Sequence, residues 1–106
     1  MPKAQRGEVW QIDLGLAGKV RPAVVVNVAF SDSERALYAL VSHTTSVRGT
    51  RFEVALDVPG LQPCAFDVQQ MVTLPDAKLL RRRAVLRPDQ LRQIENALAL
   101  WLGLRQ

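Results

Sequence analysis

The sequence predicts a mainly β protein with one helix at its C-terminal end, arranged as an SH3-like small, partly closed β-barrel. Two observations predict the strands and a third the helix. Through the first three-quarters of the 106-residue chain, short apolar segments alternate with polar residues, the period-two pattern of half-buried strands. Gly, Pro and polar clusters punctuate those segments at short intervals, as in small barrels. Only the last fifth carries apolar residues at helical spacing. The length fits one domain, residues 1–106.

The elements follow in order. Residues 7–14 read as a first strand, with Trp10, Ile12 and Leu14 on one face and Gln11 and Asp13 on the other. Residues 15–19 form a turn in which Gly15 and Gly18 supply backbone freedom. A second strand covers 21–29. Its run Ala23-Val24-Val25-Val26 is apolar on both faces, which predicts a central strand covered twice. Pro22 cannot donate to a ladder and belongs at that strand's start. Residues 36–43 give a third strand. Phe52, Val54 and Leu56 give a fourth, and residues 65–74 a fifth in which Phe66, Val68, Val72 and Leu74 share a face with Gln70. Pro75 and Asp76 open a short helical or turn segment ending in Arg81-Arg82-Arg83, and residues 84–86 make a brief strand. Pro88 starts the helix. Pro suits the first helical position and Asp89 its positive end. Leu91, Ile94, Leu98 and Trp101 form one stripe, and Gly103 is the stop. The N-terminal cap is weak, because Arg87 stands where Ser or Asp would accept hydrogen bonds.

Composition narrows the function. A net charge of +4 suits a polyanionic partner. One cysteine, Cys64, and one histidine, His43, make neither an internal disulfide nor a Cys/His metal cluster. No signal peptide and no membrane-spanning run are visible, so a cytoplasmic, cofactor-free and metal-free protein is expected. There is no Gly-x-Ser-x-Gly elbow and no phosphate-cradling loop. What remains is three polar clusters beside strands: Lys19-Val20-Arg21-Pro22, Ser42-His43-Thr44-Thr45-Ser46, and Asp67, Gln69 and Gln70.

Those clusters sit inside an ordered set of segments. Arg6-Gly7-Glu8-Val9-Trp10 is followed by Arg21-Pro22-Ala23-Val24-Val25-Val26. Val41-Ser42-His43-Thr44-Thr45-Ser46, Phe52-Glu53-Val54, Gln70-Met71-Val72-Thr73 and Leu86-Arg87-Pro88-Asp89-Gln90-Leu91 come next. In this order and spacing the chain resembles the MazF/PemK/Kid toxin ribonucleases over nearly its whole length. The resemblance implies a homodimer, sequence-specific cleavage of single-stranded RNA, and a cognate acidic antitoxin. It implies Arg21 and Thr45 as the catalytic pair. Around them Lys19, Thr44, Ser46, Arg48, Gln69 and Gln70 are expected to contact RNA, and His43 and Asp67 are candidates for the base.

The residue types suit the chemistry. RNA can be cut by attack of its own 2′-hydroxyl on the adjacent phosphate, which requires neither a metal nor a protein nucleophile. An always-charged guanidinium presents a fork of donors that matches a phosphate. The chain departs from the family pattern at three places: residues 15–19 carry no acid, Gln69 stands where others have Asp, and Val72 where an Arg often follows. Alternative readings are a CcdB-like gyrase poison acting through Leu100-Trp101-Leu102-Gly103, and a non-catalytic binding barrel. Trp10 and Trp101 are expected in packing rather than base stacking, and Arg81-Arg82-Arg83 on a solvated face.

Overall fold

In the computed structural model, residues 2–15 and 19–104 are described. The strands are β1 (Glu8–Asp13), β2 (Val20–Val25), β3 (Leu37–Thr44), β4 (Glu53–Ala55), β5 (Ala65–Pro75) and β6 (Leu79–Val85), followed by helix α1 (Pro88–Leu102). A 3-10 turn, Asp76–Lys78, joins β5 to β6. All pairings are antiparallel, in the order β4-β5-β3-β2-β1-β6. β4 and β6 are the two ends of this order, so the hydrogen-bonded ladder stays open.

The sheet separates two apolar cores. On the helix side Val9, Val24, Val41, Phe66, Val68 and Leu86 pack with Ile94 and Ala97 of α1. On the other side Trp10, Ile12, Ala23, Val25, Tyr38, Leu40 and Leu79 pack together with Ala4. Residues of β2 go alternately to each, so this strand is central and covered twice, as its unbroken apolar run predicts. Trp10 belongs to the packing, not to the surface.

Three strand assignments differ from the sequence reading. β2 stops at Val25 rather than 29, because the Asn27 side chain takes over as acceptor for the Ala39 N–H at 3.0 Å. β6 runs over seven residues and includes the arginine triplet, where a turn and a short strand were expected. Its phase is broken twice: Arg83 and Leu80 have no opposite residue in β1. These bulges destroy the alternation that would mark a strand. The third concerns β5. One residue of β3, Ser42, stands against the four residues Asp67 to Gln70, between the pairs Val41↔Met71 and His43↔Phe66. The side chains therefore change sides. Phe66 and Val68 enter the helix-side core, Val72 and Leu74 the other, and Gln70 is exposed rather than sharing their face.

α1 begins with Pro88 and ends on Gly103 at φ 70°, where the Leu104 N–H reaches the Ala99 carbonyl at 2.8 Å. Its N-terminus is completed by a residue the sequence reading passed over. Buried Gln90 accepts the Arg87 N–H at 3.0 Å through Oε1 and donates from Nε2 to the Asp57 carbonyl at 3.0 Å. One side chain thus caps the helix and ties it to the loop before β5. Leu91, Ile94 and Leu98 face the core, while Trp101 stays half-exposed with its ring edge-on to Phe52 at 5.1 Å. No helix among the described residues is long and apolar enough to cross a membrane. Gly18, expected to relieve the turn after β1, lies outside the described residues.

One buried carboxylate links β1, β6 and the N-terminal segment. Glu8 accepts from the Trp10 indole N–H at 3.0 Å, the Gln5 N–H at 2.9 Å and Arg82 at 3.1 Å. Burial pushes its carboxyl up, but these three hydrogen bonds and the Arg82 charge outweigh burial and hold it below the ordinary glutamate value. Its contribution to stability is therefore complete above the unfolded-state pKa and is lost as pH falls through the lower folded value. Glu8→Gln is expected to cost about 1–3 kcal/mol at pH 7, since the donors keep only a weaker acceptor. Urea melts of the two proteins at pH 7 and in strong acid check this: the gap between them should narrow in acid. In the helix-side core, Ile94→Ala should cost about 2–5 kcal/mol in the same melts.

Candidate functional site

The β2–β3 ladder ends at the pair Ala23↔Ser42. Two residues further out on β2 stands Arg21, and two further out on β3 stands Thr44. Both therefore stand at the same end of the two strands, beyond their last mutual pair, while each is still paired on its other side, Arg21 with Ile12 and Thr44 with Ala65. Pro22 precedes the apolar run and fixes the backbone there. Arg21 is half-buried, lies opposite Ile12 of β1, and its guanidinium has no hydrogen bond or ion pair with the described residues. Lys19, exposed beside it, closes the turn from β1 through its carbonyl, which accepts the Leu14 N–H at 3.0 Å.

Thr44 is buried, and its Oγ1 accepts the Ser46 N–H at 3.1 Å. This local bond turns the chain as it leaves β3. Thr44 thus shapes the bend, while Thr45 and Ser46 are exposed on it. Thr45 follows Thr44 at the end that β3 shares with the Arg21 end of β2, and Ser46, the next residue, lines a polar cleft.

That cleft has a volume of about 290 Å³ and is lined by Ser46, Arg48, Thr50 and Glu53 from the segment after β3 and by Asp67, Gln69 and Gln70 from β5. Five of the residues singled out in the sequence meet here. The β5 bulge carries three of them outward. Within it Asp67 accepts the Gln69 N–H at 3.0 Å and the Gln70 amide at 3.3 Å. Across the cleft Glu53 accepts the Arg48 N–H at 2.8 Å and the Thr50 N–H at 2.7 Å, with Gly49 between them at φ 73°. The Arg48 and Thr50 N–H groups, in that order, hold the Glu53 carboxyl below its ordinary value. Glu53 was not singled out in the sequence. The signal it offers is local: an acid five residues after Arg48, closing a Gly-containing loop.

Other candidates go elsewhere. His43 is buried, with its ring edge-on to Phe66 at 5.0 Å in the helix-side core. Burial lowers its pKa, a hydrogen bond with the Gln62 backbone opposes this, and the nearby Arg83 charge lowers it further. The neutral imidazole is favoured. Arg83 donates to Gln11 and to the Gly60 carbonyl, and Arg82 is bound to Glu8. Much of the arginine triplet is thus already engaged within the protein. Among the described residues no group of three or more His, Cys, Asp or Glu side chains is placed to hold a metal ion.

An arginine unpaired among the described residues and an exposed threonine stand at one end of two neighbouring strands, next to a polar cleft on a basic, mainly β domain. Comparison with known proteins places it more narrowly. Residues 5–102 match the family model described as the PemK-like, MazF-like toxin of type II toxin–antitoxin systems, and the chain belongs to that family. Among solved structures it is similar to a mycobacterial endoribonuclease in complex with its cognate antitoxin, at 25% identity and a TM-score of 0.83 over 97% of this chain and 98% of that one. The Mycobacterium tuberculosis toxin MazF-mt6 is 25% identical, with a TM-score of 0.80 over 93% of this chain and 99% of that one. MazF from Deinococcus radiodurans shares the fold at 20% identity and a TM-score of 0.81, over 95% and 97% of the two chains.

Because His43 is buried and its pKa lowered, its ring should titrate below the ordinary histidine midpoint of about 6.5. A pH series of imidazole NMR shifts measures this, and a midpoint above that value would contradict the packing described.

Proposed function

We propose that this protein is a toxin endoribonuclease that cuts single-stranded RNA by attack of the 2′-hydroxyl on the adjacent phosphate. The observation that carries this is Arg21, unpaired among the described residues, at the same strand end as exposed Thr45. Family membership and the endoribonucleases among its structural relatives support it.

In this reading the 2′-hydroxyl gives its proton to solvent and its oxygen forms a bond to phosphorus as the bond to the 5′-oxygen breaks, and the leaving 5′-oxygen takes a proton from solvent. The products are a cyclic phosphate and a free 5′-hydroxyl. Arg21 binds the non-bridging oxygens and stabilises the charge that grows on them in the transition state. Thr45 donates from its hydroxyl to the same phosphate or holds the attacking group in line. The reaction draws its nucleophile from the substrate, so the proposed step needs no metal. Lys19 extends the cationic end, and Ser46, Arg48, Gln69 and Gln70 supply donors along the cleft for the neighbouring nucleotides. His43, packed on Phe66, serves the fold rather than the proton transfer.

The partners follow from the same surface. A disordered acidic antitoxin segment laid across Arg21 and Lys19 would mimic the phosphates and block the cleft. The mycobacterial relative was solved with its own cognate antitoxin. Leu100, Trp101, Leu102 and Leu104 leave apolar surface at the end of α1, and a second copy of this chain is the proposed cover.

The test is incubation of the pure protein with long single-stranded RNA in EDTA, beside Arg21→Ala and Thr45→Ala. Wild type should give discrete fragments with 5′-hydroxyl ends. Each variant should lose at least about 100-fold in rate, the size of effect seen when a donor to developing charge is removed, while keeping the wild-type melting transition. Intact RNA in the wild-type lanes across several unrelated long transcripts, or full activity in either variant, would remove the assignment.

A further inference from the structure

We propose that the cleft between the β3–β4 loop and the β5 bulge reads one unstacked base, that this base is guanine, and that Asp67 selects it. The inference rests on the reading of this cleft as an RNA-binding surface and adds what the cleft discriminates.

The starting observation is a carboxylate of fixed direction among donors. Asp67 is half-buried, and each of its oxygens already takes one bond from its own bulge: Oδ1 from the Gln69 N–H at 3.0 Å and Oδ2 from the Gln70 amide at 3.3 Å. Each oxygen keeps a further lone pair. The carboxylate is thus braced without being used up. Its cross-strand neighbour Glu53 has a different task. Both Glu53 oxygens are taken by backbone N–H groups of the β3–β4 loop, at 2.8 and 2.7 Å, so it fixes the wall that carries Ser46 and Arg48. The cleft measures about 290 Å³. That is at the small end of ligand sites, which begin at roughly 300 Å³, and suits a single base rather than a base pair.

An unstacked RNA base is read along its Watson–Crick edge. Guanine presents two adjacent donors there, N1–H and the N2 amino group, which a carboxylate accepts with both oxygens at once. Its O6, next in line, is an acceptor, and Arg48 and Gln69 are among the residues lining the cleft that can donate to it. Uracil sets one N–H between two carbonyls, so the same carboxylate would meet two lone-pair groups. Adenine and cytosine each offer an amino group but place a ring-nitrogen lone pair beside it. Guanine alone satisfies both Asp67 oxygens, and the other bases are rejected by unmatched acceptors. Ser46 lines the cleft one residue beyond Thr45, so the base read here is close in sequence to the linkage proposed to be cut.

The experiment uses all-2′-deoxy pentanucleotides, which lack the attacking hydroxyl and stay intact. They carry uracil at every position except the centre, which is guanine, inosine or uracil. Inosine lacks only the 2-amino group of guanine. Binding is read by fluorescence anisotropy on wild type and on Asp67→Asn. With wild type, the guanine oligonucleotide should bind at least about ten-fold more tightly than the uracil one, within the range of a good two-bond base contact, with inosine between. In Asp67→Asn overall affinity should rise, because a negative charge is gone, while the guanine-to-uracil ratio collapses. Asp67→Ser, which removes the acceptor pair without adding an amide donor, serves as second variant and should lose the ratio too. Equal binding of guanine and uracil by wild type, or an unchanged ratio in a folded variant, overturns the guanine assignment and leaves the nuclease reading standing. Failure of every oligonucleotide to bind overturns the RNA-binding cleft, and this inference with it.

Discussion

Ala23, Val24 and Val25 are fully buried, and their side chains go alternately to the two sides of one sheet. A strand with both faces covered must sit in the middle of the sheet, with β1 and β3 as its neighbours. Its burial also dictates where the polar chemistry goes. No charged group can be accommodated inside the run without a partner. Arg21 and Lys19 therefore lie at its mouth, and the Thr44–Ser46 bend, leaving the adjacent strand at the same end, comes to stand beside them. The rigidity of the site is borrowed from the two cores that clamp β2.

Charge is organised by pairing rather than by number. Arg82 neutralises the buried Glu8, Arg83 bridges Gln11 and the Gly60 carbonyl, Arg6 joins Glu95 and the Val26 carbonyl, and Arg87 holds Asp89. Arg82, Arg83 and Arg6 staple the sheet, the helix and the loop before β5, while Arg87 pairs with its neighbour Asp89 in the first turn of α1. Arg21 has no such task among the described residues, and its charge is available to a ligand. A basic composition alone could not separate the two groups. The same logic applies to the acids: Glu53 is engaged by the backbone of its own loop, whereas Asp67 is braced and still has lone pairs to offer.

The β5 bulge is where fold and site meet. Four residues of β5 stand against one of β3, so the strand changes which core it feeds on either side of Asp67–Gln70. A regular strand would have turned Gln70 toward the apolar faces. The bulge instead pushes three polar side chains outward onto the cleft, with the local ladder bonds given up and partly replaced by Asp67.

The sequence by itself determined the mainly β class, the central place of β2 and the terminal helix. Each rests on local signals: an apolar run of strand length, Pro88 at a helix start, and an apolar stripe closed by Gly103. Arg21 and Thr45 came from the ordered resemblance to the toxin family, since an Arg before a strand and a Thr after one carry no local mark of function. Only the tertiary structure decided what depends on contacts between distant segments. Arg81-Arg82-Arg83 read as the end of a turn until its pairing with β1 made it a strand; Arg81 and Arg82 stay on the solvated face, and Glu8 and Gln11 engage Arg82 and Arg83. His43 carried no sign of burial until Phe66 closed over it. Gln70 and Glu53 took their places from a bulge and a loop, both set by which residue stands opposite which. Period and composition are local quantities and survive in the sequence; register is a relation between strands, and it exists only once they have paired.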